Sequence, residues 1–161
     1  MIAISVVQSE FPAHLHQECL SRVIHRGGEP EYFFLWKSRN RVLPCWYGGE
    51  LRLLPWGSSD RRGRLPQGPW TQADSVAGGK WGFTRHEVVR VACNLFRLNE
   101  VWTMAFNGLR GIVAETDAGP VAYLICTPTQ RYYRTLLGQS EWMPLLCGST
   151  ADHWMERNSV L

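Results

Sequence analysis

Residues 42–57, VLPCWYGGELRLLPWG, decide the fold, because they predict a β-hairpin beside which the other strands can be arranged. Gly48-Gly49 forms the turn, since glycine adopts the positive φ angles that tight hairpin turns need. After the turn, leucines alternate with Glu50 and Arg52, which is the period-two pattern of a strand with one buried face. The closing Pro-Trp-Gly step ends the second strand, because proline cannot donate a hydrogen bond to the ladder.

Short segments bounded by turn residues predict further strands and a few helices. Strands are expected at residues 2–7, 32–36, 87–94, 100–106, 111–116, 121–126 and 143–147, and helices at 12–26, 128–138 and 150–158. The second helix is expected to start with Thr127 as N-cap and Pro128 in its first turn. Residues 58–68 and 69–83 are expected to be irregular. Many short strands with few helices predict an α+β fold, mainly antiparallel, with the form of an open barrel.

Length and composition are those of one globular domain that spans residues 1–161. Of the 161 residues, 45% are hydrophobic and 19% charged, which is enough apolar material for a core and excludes an intrinsically disordered chain. No basic leader with a long apolar run opens the chain, and no segment approaches a membrane span. A cytoplasmic protein without a membrane partner is therefore expected. The sequence leaves the oligomeric state open.

Five widely spaced cysteines favour a reducing compartment over a disulfide framework. They form no pair at zinc-ligand spacing, so neither a metal nor a cofactor is expected. Cys45, Cys93 and Cys126 lie in apolar runs and are expected to be buried free thiols.

The basic charge is carried almost entirely by arginine. The formal net charge is +3, and Lys37 and Lys80 are the only lysines. Arginine suits bidentate phosphate contacts, and a mildly basic chain permits a polyanionic ligand without demanding one. Arg61, Arg62 and Arg64 form the densest cluster. Two interpretations remain open for it: a solvated loop, or a loop that contacts phosphates.

Three segments, in order, resemble the SRAP (SOS response-associated peptidase-like) family, whose members sense abasic sites in single-stranded DNA. GELRLLPWG in the hairpin is similar to that family's Gly-initiated strand and RWGL-like turn. Residues 90–102, RVACNLFRLNEVW, resemble its CLIPADGFYEW strand pair. Residues 121–146, VAYLICTPTQRYYRTLLGQSEWMPLL, resemble its strand–helix–HDRMPVIL segment. The resemblance implies the SRAP fold for about two-thirds of the chain.

The same resemblance implies that the family's chemistry has been lost at the N-terminus. Family members crosslink to the abasic sugar aldehyde through a cysteine at position two, where this chain has Ile2. The family's Asn-Ala-Arg…Glu motif falls on residues 70–74. Trp70 then stands for the asparagine, Gln72 for the arginine and Asp74 for the glutamate, so that only a carboxylate is kept. Asp74 has the alternative interpretation of an N-cap or turn carboxylate.

The family's histidine and its arginine are also replaced. The histidine falls on Ser140, whose hydroxyl barely titrates near neutral pH and cannot act as that base. The arginine falls on Trp142. The resemblance implies that Trp70 and Trp142 face one groove, where they either fill the pocket or offer a platform on which bases stack.

Two functions follow as expectations. The first is a catalytically inactive SRAP-like protein of the DNA damage response, bacterial or phage-encoded, that binds single-stranded or damaged DNA non-covalently. The second is a protein-interaction module, of the kind that phages and mobile elements encode, that binds and modulates a host protein. The expected nucleic-acid contacts are Arg39, Arg41, Arg61, Arg62, Arg64, Trp56, Trp70, Gln72, Ser140 and Trp142.

An enzyme with relocated chemistry is the least favoured function. Its reactive groups would come from Asp74, Glu141, Glu100 or His86. No two of these side chains stand at a spacing that predicts a nucleophile beside its base.

Overall fold

The computed structural model describes residues 2–159, which form twelve strands and four α-helices. The strands are β1 (Ala3–Val7), β2 (Val23–Ile24), β3 (Glu31–Leu35), β4 (Val42–Tyr47), β5 (Glu50–Pro55), β6 (Trp70–Gln72), β7 (His86–Val91), β8 (Leu95–Leu98), β9 (Val101–Met104), β10 (Leu109–Thr116), β11 (Gly119–Pro128) and β12 (Trp142–Pro144). The helices are α1 (Ala13–His16), α2 (Ala73–Ala77), α3 (Arg131–Leu136) and α4 (Thr150–Asn158).

The strands form two sheets. One has five strands in the order β2-β3-β1-β8-β9. The other has the order β12-β11-β10-β7-β4-β5, with β6 added in parallel to β11. All other neighbouring strands within the two sheets are antiparallel. The prediction of an α+β fold, mainly antiparallel with a few short helices, is confirmed, and the sheets are not closed into a barrel.

The predicted hairpin is present as β4 and β5. Gly48 and Gly49 both have positive φ, at +66° and +81°, as a tight turn between twisted strands requires. Leu51 and Leu54 are buried, and Pro55 closes the ladder opposite Val42. Through β4, which pairs with β7, the hairpin is joined to the larger sheet.

The core has two parts because the larger sheet is covered on both faces. Alternation along β11 directs Leu124 into the apolar cluster that both sheets share and Tyr123 into a second cluster with α2 and α4. The molecule is therefore layered as sheet, sheet and helices. Cys45, Cys93 and Cys126 are buried free thiols, as predicted.

Three local predictions were wrong. Residues 12–26 do not form one helix: α1 gives way to a 3-10 turn at Gln17–Arg22 and then to β2, because two β-branched residues there pair with β3. Residues 69–83 are not wholly irregular, since they contain β6 and α2. Thr127 and Pro128 end β11 instead of opening a helix, because they pair with β12, and α3 starts only at Arg131.

The link from the hairpin to the next segment depends on Gly57. Its φ is +65°, and a Cβ at this position would lie 2.7 Å from a ring carbon of Trp36 and closer still to the carbonyl oxygen of Gly68. Its amide also donates to the carbonyl of Ala122 at 2.7 Å. A side chain therefore has neither a favourable conformation nor space here.

We expect Gly57→Ala to lower the free energy of unfolding by about 3 kcal/mol, combining left-handed strain with overpacking. Gly49→Ala is the matched control, because Gly49 has φ of +81° but no atom lies within 4 Å of the place that a Cβ would take. At Gly49 only the left-handed backbone strain applies, which lowers the free energy of unfolding by about 1–2 kcal/mol. Urea unfolding of both variants measures the difference, and equal destabilisation would contradict a steric role for Gly57.

Candidate nucleic-acid interface

A groove forms around the last residues of β11, where β6 and β12 lie on opposite edges of that strand. In the parallel ladder Trp70 stands beside Leu124 and Gln72 beside Cys126. In the antiparallel ladder Trp142 stands beside Pro128. The three β11 partners, Leu124, Cys126 and Pro128, are alternate residues of the strand, so their side chains lie on the same face. Trp70, Gln72 and Trp142, which are paired with them, therefore share that face of the sheet with Cys126.

The groove has a volume of about 450 Å³ and a largely polar lining. Trp70 and Trp142 both line it and are both half-buried, so each side chain combines packing with an accessible part. The predicted Gln72 lines it as well. The other lining side chains are Gln67, Thr71, Ser75, Lys80 and Cys126.

Lys80 is the cation of this lining and is exposed. Sequence reasoning missed it, together with Gln67, Ser75 and Thr71. The one signal in the sequence was that Lys80 is one of only two lysines in the chain. Thr71 is buried and accepts a hydrogen bond from the indole nitrogen of Trp81 at 3.2 Å, so it holds the groove wall in place.

Cys126 forms the floor of the groove and does not supply a reactive thiolate. Its side chain is 1% exposed, and burial raises the pKa of its thiol to about 12. The thiol is therefore protonated at neutral pH and acts as a small apolar surface.

The expected stacking role of Trp56 is wrong. Trp56 is 1% exposed, and its ring meets Trp36 edge-on with centroids 5.6 Å apart. Its indole nitrogen donates to the carbonyl of Pro69 at 2.9 Å. Trp56 has no face for a base, and it instead fixes the residue that precedes Trp70.

The arginine loop, residues 58–68, is anchored at its end and exposed at its centre. The hydroxyl of Tyr123 donates to the carbonyl of Pro66 at 2.6 Å, and burial raises the pKa of Tyr123 to about 12, so it stays a donor. Arg61, Arg62 and Arg64 are exposed. Gln67, from the same loop, reaches the groove lining.

Arg64 differs from its two neighbours in what it faces. It lines a second depression whose other lining residues include Asp60 and Asp117. Arg61 and Arg62 line neither this depression nor the groove. Both are exposed, so their charge is directed to solvent.

Arg39 and Arg41 do not line the groove. Arg41 is half-buried, with its guanidinium 4.2 Å from the ring centre of Trp36 and its Nε donating to the Trp56 carbonyl at 3.1 Å. Arg39 is exposed and lines a separate depression with Phe33 of the five-stranded sheet. Arg41 thus supports the hairpin exit, and Arg39 belongs to another surface.

Three positions implied by the family resemblance have structural contacts. Asp74 is exposed in the first turn of α2, does not line the groove, and accepts the Gly78 amide through its backbone carbonyl at 2.8 Å. The Ser140 hydroxyl donates to the Trp142 carbonyl at 2.7 Å and so positions β12. Ile2 is 4% exposed in the core.

Of the groups expected for relocated chemistry, His86 lines a separate depression beside Tyr47 and Glu115. Asp74, Glu100 and Glu141 are exposed. Tyr47 donates to the Glu115 carboxylate, and this hydrogen bond raises the pKa of Tyr47.

Between residues 2 and 159, no three His, Cys, Asp or Glu side chains come together as a metal site. None of the helices over the same residues has the length and apolar character needed to cross a bilayer.

Comparison with known proteins finds no matching family model, no matching curated protein and no matching solved structure. The resemblance to the SRAP family therefore stays a prediction.

We expect stability to fall as pH rises above the ordinary thiol value of 9.0, because unfolded Cys126 then ionises while the folded thiol stays protonated up to about 12. One such thiol contributes a slope of about 1.4 kcal/mol per pH unit. Urea unfolding of wild type and Cys126→Ala across this range isolates the contribution, since the other thiols are present in both proteins. Parallel pH curves would show that water reaches the groove floor in the folded protein.

Proposed function

We propose that this protein binds single-stranded nucleic acid non-covalently, as a divergent SRAP-like protein without crosslinking chemistry. One observation carries the proposal: Trp70 and Trp142, far apart in sequence, line a single polar groove together with Lys80. Aromatic side chains beside a cation are the combination that single-strand binders use for bases and phosphates.

Each component of the groove has a suitable partner on a nucleotide. The accessible parts of the two tryptophans stack on bases, which is tolerant of sequence because every base has a π-face. The amides of Gln67 and Gln72 donate to and accept from base edges. Lys80 and the exposed loop cations Arg61 and Arg62 attract the backbone phosphates.

The proposed binding is non-covalent because the groups needed for crosslinking are missing. Position two carries an apolar side chain that is 4% exposed. The Ser140 hydroxyl is engaged with the Trp142 carbonyl, and the Cys126 thiol is protonated at neutral pH. Neither provides a nucleophile with a matching base.

A second candidate function is a module that binds and modulates a host protein. It is favoured by a group of large apolar side chains that stay exposed on another face of the molecule, among them Met104, Phe106 and Tyr132. Exposed aromatic side chains of this size are frequent centres of protein–protein interfaces.

We expect Trp142→Ala to weaken the binding of a fluorescein-labelled single-stranded oligonucleotide by about 1–3 kcal/mol, the contribution of one stacked base. Fluorescence anisotropy at low salt measures it. Trp154→Ala is the matched control, because Trp154 is 41% exposed on α4, outside the groove lining. Circular dichroism checks that each variant is folded. Lys80→Gln is a second variant of the groove, and it removes a charge without changing the packing. Equal affinity in all four proteins would remove the groove as the binding site.

Replacing Arg61, Arg62 and Arg64 together with glutamine tests the loop. For each phosphate that the variant no longer neutralises, we expect the slope of log affinity against log salt to become shallower by about 0.7. Arg39→Gln, on a separate surface, serves as the control and leaves the slope unchanged. An unaltered slope in the triple variant would show that the loop arginines do not contact phosphates and are only solvated.

An oligonucleotide with one abasic site tests whether crosslinking is absent. We expect salt-sensitive binding in a native gel and no shifted band after denaturation, because Ile2 offers no thiol. A denaturation-resistant band would overturn the non-covalent mechanism. No native binding at any salt concentration would leave the protein-interaction function as the remaining proposal.

A further inference from the structure

An apolar groove runs between β9 and α3, on the five-stranded sheet. It has a volume of about 350 Å³. Several of its lining side chains are strongly exposed: Met104 at 55%, Phe106 at 84% and Tyr132 at 73%. We call it the β9 groove. Exposed apolar side chains concentrated in one groove are characteristic of interaction sites.

The strand that forms one wall of the β9 groove has an unpaired edge. Within the described residues 2–159, β9 is the last strand in its sheet and pairs only with β8. In an antiparallel pair, hydrogen-bonded and non-hydrogen-bonded positions alternate. The amide of Ala105 donates to the Asn94 carbonyl at 2.8 Å, which makes that position a bonded one.

Because the positions alternate, Met104 and Trp102 are non-bonded positions of the β8–β9 pair. Their N–H and C=O groups therefore point away from β8, toward the free edge. Over residues 2–159, no other strand pairs with β9 on that side. Such an edge is a template for one more strand.

The α3 side of the β9 groove is positively charged. Arg131 and Arg134 are exposed on α3, which carries no acidic residue. On the sheet face, the Arg26 guanidinium lies 4.0 Å from the Trp102 ring centre and is paired with the Glu31 carboxylate at 3.1 Å. The Arg97 guanidinium lies 5.5 Å from the same ring centre.

We propose that the β9 groove binds an extended acidic peptide of a partner protein, which adds a strand to β9. Its backbone pairs with the outward groups of Trp102 and Met104. Its alternate apolar side chains contact Phe106 and Tyr132. Its acidic residues lie beside the α3 arginines. This is recognition by β-augmentation, in which main-chain bonds give affinity and side-chain pockets give specificity.

Two other occupants fit less well. A second copy paired edge to edge would bring Arg131 and Arg134 of both copies toward one another, and like charges in an interface oppose association. A nucleic acid has no regular backbone donors for the outward carbonyls of Trp102 and Met104.

The inference rests on the second function proposed above, the interaction with a protein, and is independent of the nucleic-acid groove.

Selection from a display library of short random peptides tests the proposal, followed by anisotropy with the enriched sequences made synthetically. We expect an enriched pattern of alternating apolar residues flanked by Asp and Glu. Met104→Pro removes an N–H that faces the free edge, and an edge strand tolerates proline at such a position. Because a pairing peptide would lose this donor, we expect Met104→Pro to weaken peptide binding at least about tenfold.

Further variants separate the contributions of the apolar side chains and of the arginines to peptide binding. Phe106→Ser, at an exposed position, is expected to weaken binding without affecting folding, and Arg131→Glu with Arg134→Glu is expected to remove the preference for acidic flanks. Leu20→Ala, an exposed residue outside the groove lining at 62%, is the control and leaves affinity unchanged.

Three results would overturn the proposal. One is a library that yields no sequence sensitive to Met104→Pro. Another is a concentration-dependent dimer in analytical ultracentrifugation that Met104→Pro abolishes, since the groove would then belong to a second copy. The third is a partner protein that binds wild type and Met104→Pro equally, which would keep the interaction function but place it on another surface.

Discussion

The hydrogen bond from the Trp56 indole to the Pro69 carbonyl is the contact on which the rest of the arrangement depends. It connects the end of the hairpin to the start of β6 across the arginine loop. Next to it, the amide of Gly57 donates to Ala122, so the hairpin exit is also joined to β11. Because Trp56 is almost fully buried, its donor must find a partner inside the protein, and Pro69 is that partner.

This hydrogen bond explains where the groove lined by Trp70 and Trp142 forms. Fixing Pro69 places Trp70 at the start of a parallel pairing with β11, which brings Gln72 beside Cys126. β12 approaches the other edge of the same strand and brings Trp142. The groove lining is thus assembled from segments with no sequence proximity, and the arginine loop is held near it because its own ends are bonded to each other and to Tyr123.

The two proposed surfaces belong to different sheets, and the difference in chemistry follows from how each strand ends. β11 is paired on both edges near its end, so its groove presents side chains. Over residues 2–159, β9 pairs with β8 alone, so its other edge presents backbone groups. The polar lining with Lys80 suits a nucleotide, and the apolar lining with Met104 and Phe106 suits a peptide. Binding at one surface therefore need not exclude binding at the other.

The sequence by itself determined the hairpin, the positions of most strands, the α+β class and the buried thiols, because these follow from glycine turns and period-two alternation over a few residues. Only the tertiary structure decided which residues meet. Trp56 and Trp142 were both expected to contact bases, yet one is buried against Trp36 and the other lines a groove. Thr127 and Pro128 matched a helix start but extend a strand, because pairing with β12 outweighs a local capping preference. Pairing between distant strands and burial are properties of the whole packed chain, and no local pattern encodes them.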